Sequence, residues 1–277
     1  DEKFNIAKNF LLPKLFKDHG LKKKALTFND SAVEDIIRKH TREAGVRELE
    51  RQLAAVIRKV TRKLVESRSS KQIVVTKKDV HKYLGTVKYS HQLAETKDEV
   101  GVVTGLGVTP VGGEVFFIEV SKMPGRGKLI LTGQLGSVMK ESAQAGLSYA
   151  RAYAAKRGIK EDFTKDDIHV HVPSGAIKKD GPSAGTAMTT ALVSLFLGKL
   201  VRKEVAMTGE VTLRGKVLEI GGLKEKVLAA HRAGIKTIIA PNDNKKDLED
   251  IPKEVKKDLK FVFVKTMDEV LKTALKI

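Results

Sequence analysis

The sequence predicts a mixed α/β domain preceded by a small helical one, and three observations carry that reading. Up to about residue 88, apolar side chains recur at helical spacing, with a single short β-rich run. The stretch from Thr86 to Glu99 is polar and aperiodic, which divides the chain into domains at 1–88 and 89–277. Beyond it, strand-like apolar runs alternate with helical patterns, as expected of strands and helices packed in layers.

The elements follow in order. Phe4 to Lys17 and Ala32 to Arg42 have helical spacing, and in the second Ala32, Val33, Ile36, Ile37 and His40 form one stripe. Ser31-Ala32-Val33-Glu34 is a capping-box pattern that opens this helix. A third helix runs from about Val46 to Ser67, with Leu49, Leu53, Val56, Ile57, Val60 and Leu64 inward. Ile73 to Val75 is a short strand, and Thr76 to Asp79 opens a helix ending near Leu84. In the second domain, Val100 to Val108 and Glu114 to Val120 read as strands turned by Gly112-Gly113. Leu135 to Arg157 is a long helix and Ile168 to Val172 a strand. An apolar helix, TAMTTALVSLFL, begins at Thr186; a hairpin spans Ala206 to Ile220; a helix from Leu223 closes at Gly234. Ile235 to Ala240 and Phe261 to Val264 are strands, and Thr266 to Glu269 caps a closing helix. The pattern is not that of a doubly wound nucleotide fold, and no internal repeat is visible.

Composition bounds the function. The chain of 277 residues is long enough for two modest cores. It has no Cys, which excludes disulfides, thiolate metal sites and a Cys nucleophile, and fits a reducing cytoplasmic setting. No apolar run reaches membrane-spanning length, and Asp1-Glu2-Lys3-Phe4 is not a signal peptide. A start at Asp1 rather than Met leads us to expect a piece of a longer protein. The formal net charge is +18, and Arg51 to Lys88 is heavily basic, with only Glu66 and Asp79 in opposition. Such a run is either a solvated helix face or a surface that binds nucleic acid non-specifically. Aromatic residues are too sparse for a base-stacking platform.

Two short segments carry the chemistry. Lys179-Asp180-Gly181-Pro182-Ser183-Ala184-Gly185 sets a serine where a loop turns into the apolar helix. A helix start offers unpaired N–H groups and the positive end of a dipole, so an oxyanion formed by attack of Ser183 meets donors there. The alternative is an ordinary N-cap serine. Downstream, at about 100° per residue, Lys226 falls in the arc of Leu223, Val227, Ala229, Ala230 and Ala233, whereas Lys224 joins Leu228 and Arg232. Buried among apolar groups, a lysine loses its charge more readily and becomes able to take a serine proton. The alternative is a lysine that snorkels its ammonium to water. His169 and His171 share a strand face, either as structural residues or as a metal or triad site, but no carboxylate–histidine spacing supports a metal.

KDGPSAG, HVHVP just upstream, and MTGEVTLRGKVLEIGGLKEKVLAAHRAGIKTIIAP together resemble the proteolytic domain of the Lon proteases. VGVVTGLGVTPVGGEVFFIEV and GKLILTGQLGSVMKESAQAG extend the resemblance over the C-terminal two-thirds. FNIAKNFLLPK and TREAGVRELER resemble the small helical AAA+ lid subdomain of the same family. Thr186 departs from the pattern, since the family usually has an aliphatic residue there.

The resemblance implies an ATP-dependent serine endopeptidase with a Ser-Lys dyad, Ser183 and Lys226. Thr208 matches the threonine that hydrogen-bonds the catalytic lysine, and Glu210 follows it. Asp180 would orient the serine loop, unless it is merely a turn residue. Glu119 matches a position near the site and the neighbouring subunit, unless it is a solvated strand-end carboxylate; His171 lies near the site. Arg47 matches the second sensor arginine, which approaches the γ-phosphate of ATP; it should be orphaned here, because no Gly-x-x-x-x-Gly-Lys-[Ser/Thr] loop occurs. The implied partners are unfolded or damaged proteins, a homo-oligomer, expected to be a hexamer, and non-specific DNA. ATP and Mg belong to the full-length protein, and no cofactor or metal is expected for this piece. The competing reading is a catalytically silent, basic DNA-binding module on the same scaffold.

Overall fold

In the first part of the chain, apolar stripes from successive helices meet in one core. The structure, a computed structural model, describes residues 2–21, 25–67, 72–89, 95–159, 164–173 and 179–276. Its contacts divide into two compact units, Asp1–His91 and Gln92–Ile277.

The first unit opens with α1 (Glu2–Ile6), a π-helical stretch (Ala7–Leu11) and α2 (Leu12–Asp18). Pro13 stands at the start of α2 and has no N–H to give the preceding turn, which accounts for the wider winding before it. β1 (Leu26–Phe28) leads into α3 (Asp30–His40), whose N-cap is Asn29. Ser31 therefore lies inside the helix, exposed, and the capping box expected there does not form. The next helix, α4 (Arg47–Ser67), is capped from a distance: the Glu43 carboxylate accepts from the N–H of Glu48 at 3.0 Å and of Leu49 at 2.8 Å. Leu49, Leu53, Val56, Ile57 and Val60 are buried along it. β2 (Ile73–Val75) pairs in parallel with β1, Leu26 opposite Ile73. α5 (Lys77–Leu84) begins with a complete capping box, Asp79 accepting from the Thr76 N–H at 3.0 Å and hydroxyl at 2.7 Å.

The second unit is built on β3 (Val102–Thr109), β4 (Gly112–Pro124), β5 (Leu129–Thr132), α6 (Ser137–Lys156), β6 (Asp166–His171) and α7 (Gly185–Leu197). There follow β7 (Val205–Met207), β8 (Glu210–Val211), β9 (Val217–Leu218), α8 (Leu223–Arg232), β10 (Thr237–Pro241), α9 (Lys253–Asp258), β11 (Lys260–Val264) and α10 (Met267–Ala274). Among the described residues, seven strands form one mixed sheet in the order β11-β10-β7-β3-β4-β6-β5. β3–β4 and β4–β6 are antiparallel and the other pairs parallel.

Alternation along the strands feeds two cores. Val103, Phe116, Ile118, Val205, Met207 and Ile239 join α6, α7 and α10 on one face. Leu106, Val115, Ala206, Ile238 and Ala240 join α8 and α9 on the other. Every residue from Gly185 to Ser194 is buried, so α7 is enclosed on all sides.

The segment 206–220 is not one hairpin. Val205, Ala206 and Met207 form a central parallel strand, buried on both faces, which is why they lack alternation. Gly209 follows with φ of 158°, and only then does the separate two-stranded β8–β9 ribbon form. β5 also lies outside the sequence reading: its four half-buried residues at the sheet edge sit between glycine-rich turns.

Candidate active site

Ser183 lies in a single 3-10 turn, Pro182–Ala184, that leads directly into α7. The turn is clasped by the segment that leaves β7. The Ser183 carbonyl accepts from the Gly209 N–H at 2.8 Å and from the Thr208 hydroxyl at 3.2 Å. In return the Gly209 carbonyl accepts from the Thr186 N–H at 3.0 Å. Thr186 itself is wholly buried, and its hydroxyl has no partner among the described residues.

Lys226 is on α8, whose arc of Leu223, Val227, Ala229 and Ala230 is buried as the spacing predicts. Its own exposure is only 2 %, and the amine donates to the buried Thr208 hydroxyl at 3.1 Å. Burial pulls its pKa from the ordinary 10.5 down to about 8, because a charged amine there loses its water. Thr208 thus accepts from Lys226 and donates to the Ser183 carbonyl. With one N–H committed to Thr208, a neutral amine keeps its lone pair for another proton. Ser183 and Lys226 line one cavity of about 360 Å³, walled by Phe116, Met139 and Ile220. No direct hydrogen bond joins the two side chains among the described residues; Thr208 links the Lys226 amine to the backbone carbonyl of Ser183.

Asp180 fastens the serine loop to α6. The N-cap of α6 is Gly136, which has no side chain to offer; the Asp180 carboxylate takes that place and accepts from the Met139 N–H at 3.1 Å. It also accepts from the Gly181 N–H at 2.9 Å. A methyl group on Gly136 would lie 2.1 Å from this carboxylate, so the bare residue makes room for it.

The remaining sequence-derived residues sit elsewhere. Glu210, half-buried, opens β8 opposite Leu218 and does not line the cavity. Glu119 is exposed on β4 and faces His171 across the β4–β6 pair. His171 Nδ1 and His169 Nε2 share the Thr132 hydroxyl, at 2.7 and 2.8 Å, and neither ring reaches the cavity lining. Among the described residues no group of His, Asp or Glu could hold a metal ion, and no helix is long and apolar enough to cross a membrane. Arg47 is exposed at the first position of α4.

Several cavity residues lie outside the sequence reading. Phe116 is placed by Gly105 and Gly107, whose bare faces lie under its ring: added methyls would approach it to 2.7 and 3.2 Å. The two glycines alternating in β3 were the available signal. Lys179 shares the cavity, and burial lowers its pKa against the opposing charge of Glu114.

Residues 74–277 match the family model described as Lon protease (S16) C-terminal proteolytic domain, and residues 17–73 the Lon protease AAA+ ATPase lid domain. The matches meet inside β2, whereas the compact units divide after His91. Lon protease 1 of Bacillus subtilis is 58% identical over 275 residues, 99% of this chain and 35% of that protein. The Lon protease of Dictyoglomus thermophilum is 53% identical over 275 residues, 99% of this chain and 35% of its own. That of Methanosarcina barkeri is 52% identical over 277 residues, 100% of this chain and 34% of its own. The chain therefore spans about a third of the length of these relatives.

Proposed function

Because the chain belongs to the Lon protease family of serine endopeptidases, we propose that Ser183 is its nucleophile and Lys226 its general base. The observation that carries this is the buried Lys226 amine, held by the same Thr208 hydroxyl that holds the Ser183 carbonyl, in a cavity both residues line. The neutral amine takes the Ser183 proton as Oγ attacks the scissile carbonyl carbon. Backbone N–H groups around Ser183 stabilise the oxyanion. Collapse breaks the C–N bond, and the Lys226 ammonium returns its proton to the leaving amine. A water molecule then gives a proton to Lys226 and attacks the ester, which releases the acid and restores Ser183. Thr208 and Asp180 act as supports, the first by aiming the amine and the second by holding the loop. Glu119, Glu210 and His171 are proposed as supports at the periphery.

Labelling with a peptide boronate tests this directly. Ser183 should be modified in the unaltered chain, and Ser183→Ala and Lys226→Ala should each lose both labelling and cleavage of an unfolded protein. Residual activity in a folded Ser183→Ala chain near the unaltered rate would overturn the assignment.

At the scale of the whole protein, the proposal is an ATP- and Mg-dependent, cytoplasmic, hexameric enzyme that degrades unfolded or damaged proteins, with its domains meeting at 88 and 89. Of the nucleotide-binding residues this chain supplies only Arg47, without a phosphate loop, so no step here runs through ATP. Non-specific DNA contact through the basic first domain is a secondary proposal. It is weakened by the pairing of cations of that run: Arg62 with Glu66, Lys77 with Asp35, and Lys59 with the Tyr83 carbonyl.

A further inference from the structure

The turn of α8 that carries Lys226 is gripped from outside the cavity by the β3–β4 hairpin. Gly113 of β4 lies so close to α8 that a methyl group added there would sit 1.9 Å from the Glu225 carbonyl oxygen and 3.0 Å from the Lys226 backbone nitrogen. The Arg232 guanidinium, two turns on, donates back to the Gly113 carbonyl at 3.2 Å. At the start of the helix, Gly222 approaches the other strand: a methyl there would meet Val108 at 2.7 Å. Gly113 is not among the glycines with positive φ, so its bareness serves space and not conformation. Gly112 next to it is the opposite case, with φ of 121° and nothing within 4 Å of an added methyl.

We infer that the β3–β4 hairpin sets the position of Lys226, and that Gly113 is a positioning residue for it. Any side chain at 113 meets backbone, which cannot rotate away, so the Lys226 turn must withdraw. The catalytic part of this inference rests on Lys226 being the base; the positional part does not. The groups around the amine are Thr208, which holds it, and Glu114, Lys179, Asp180 and Glu219, which line the cavity from β4, the serine loop and the segment after β9. Glu225 and Lys224 flank it on α8 itself. Burial outweighs all of these in lowering its pKa, so withdrawal of the helix toward water acts on the dominant cause.

The experiment compares Gly113→Ala, Gly112→Ala and the unaltered full chain by two readouts. One is the pH midpoint of Lys226 acetylation by a limiting anhydride, read by mass spectrometry and independent of catalysis. The other is the pH profile of kcat and KM on a peptide. In Gly113→Ala the acetylation midpoint should move up toward the ordinary lysine value. The rising limb of kcat should follow it, and kcat should fall on the order of 100-fold, as expected of a reacting group misplaced by about 1 Å, with KM little changed. Gly112→Ala should lose stability and keep both midpoints. A folded Gly113→Ala chain whose Lys226 titrates as before overturns the inference. A shifted acetylation midpoint with an unshifted rate profile upholds the positioning and removes Lys226 as the base. Should Gly113→Ala fail to fold, Arg232→Ala loosens the same contact without adding atoms. It must move the acetylation midpoint in the same direction, and an unmoved midpoint overturns the inference.

Discussion

Lys226 holds two properties in tension, and both follow from one fact of burial. Its pKa of about 8 lies below the ordinary 10.5, so the folded state binds fewer protons than the unfolded one between those values. The stability cost is therefore full below about 8 and is relieved as pH rises toward 10.5. The gap corresponds to about 3 kcal/mol at neutral pH. Lys226→Met, similar in volume and uncharged, should raise stability at pH 7 by an amount approaching that figure, while abolishing cleavage. Urea titrations at pH 7 and 10 check it: the advantage of the variant should shrink at the higher pH. The same midpoint sets the rate, since only the neutral amine takes a proton. Peptide cleavage should climb through a limb centred near pH 8, and a rate flat from pH 6 to 9 would count against Lys226 as base. The burial of Lys226 is legible in the sequence because helical spacing sorts it from Lys224 without tertiary knowledge. The cavity walls are less so: Met139 reaches the site through helix placement that no local pattern encodes, and Phe116 leaves only the trace of Gly105 and Gly107 in the strand beside it.

At the scale of elements, helices with apolar stripes are readable, and so are helix ends whose caps are local in sequence. α4 and α5 start within a residue of where spacing and capping chemistry place them, and the Thr266–Glu269 capping box forms as read. Where the cap comes from outside the helix start, the capping group is not legible locally: Glu43 caps α4 across a turn, and Asp180 caps α6 from 41 residues away. The pairing of Val205–Met207 with β3 and β10, in place of the expected hairpin, is hidden for a similar reason, since three buried residues carry no alternation to say where they pair. The cap on α6 ties stability to the serine loop. Asp180→Ala should cost about 1 kcal/mol in a denaturant titration, as loss of an N-cap does, and should also lower kcat by freeing Gly181. Asp180→Asn retains an acceptor oxygen and should recover most of the stability. A loss of stability with kcat untouched would show that the cap serves α6 alone.

At the scale of the molecule, the chain is two units, each with its own buried core. The first carries Arg47, exposed at the head of α4; the second carries the cavity. Since no phosphate loop accompanies Arg47, the chain by itself should not turn over ATP, and peptide cleavage should proceed equally with and without nucleotide. A coupled assay for released phosphate tests the first half, and a peptide assay with and without ATP and Mg the second. The charge of +18 adds a practical expectation, that association between copies depends on ionic strength, because like charges repel less when screened.

The helix that follows Ser183 is enclosed on every side, and that has a bearing on how the second unit comes apart. An element without a solvent-facing flank has no cheap local opening, so its amides should exchange with deuterium only when the whole unit comes apart. Ser183 stands in the turn directly before this helix, so its place should hold until the whole unit opens. Heat should not produce a loosened species that still cuts: activity and α7 protection should vanish together, over the same few degrees, leaving no half-open protease to cleave without restraint.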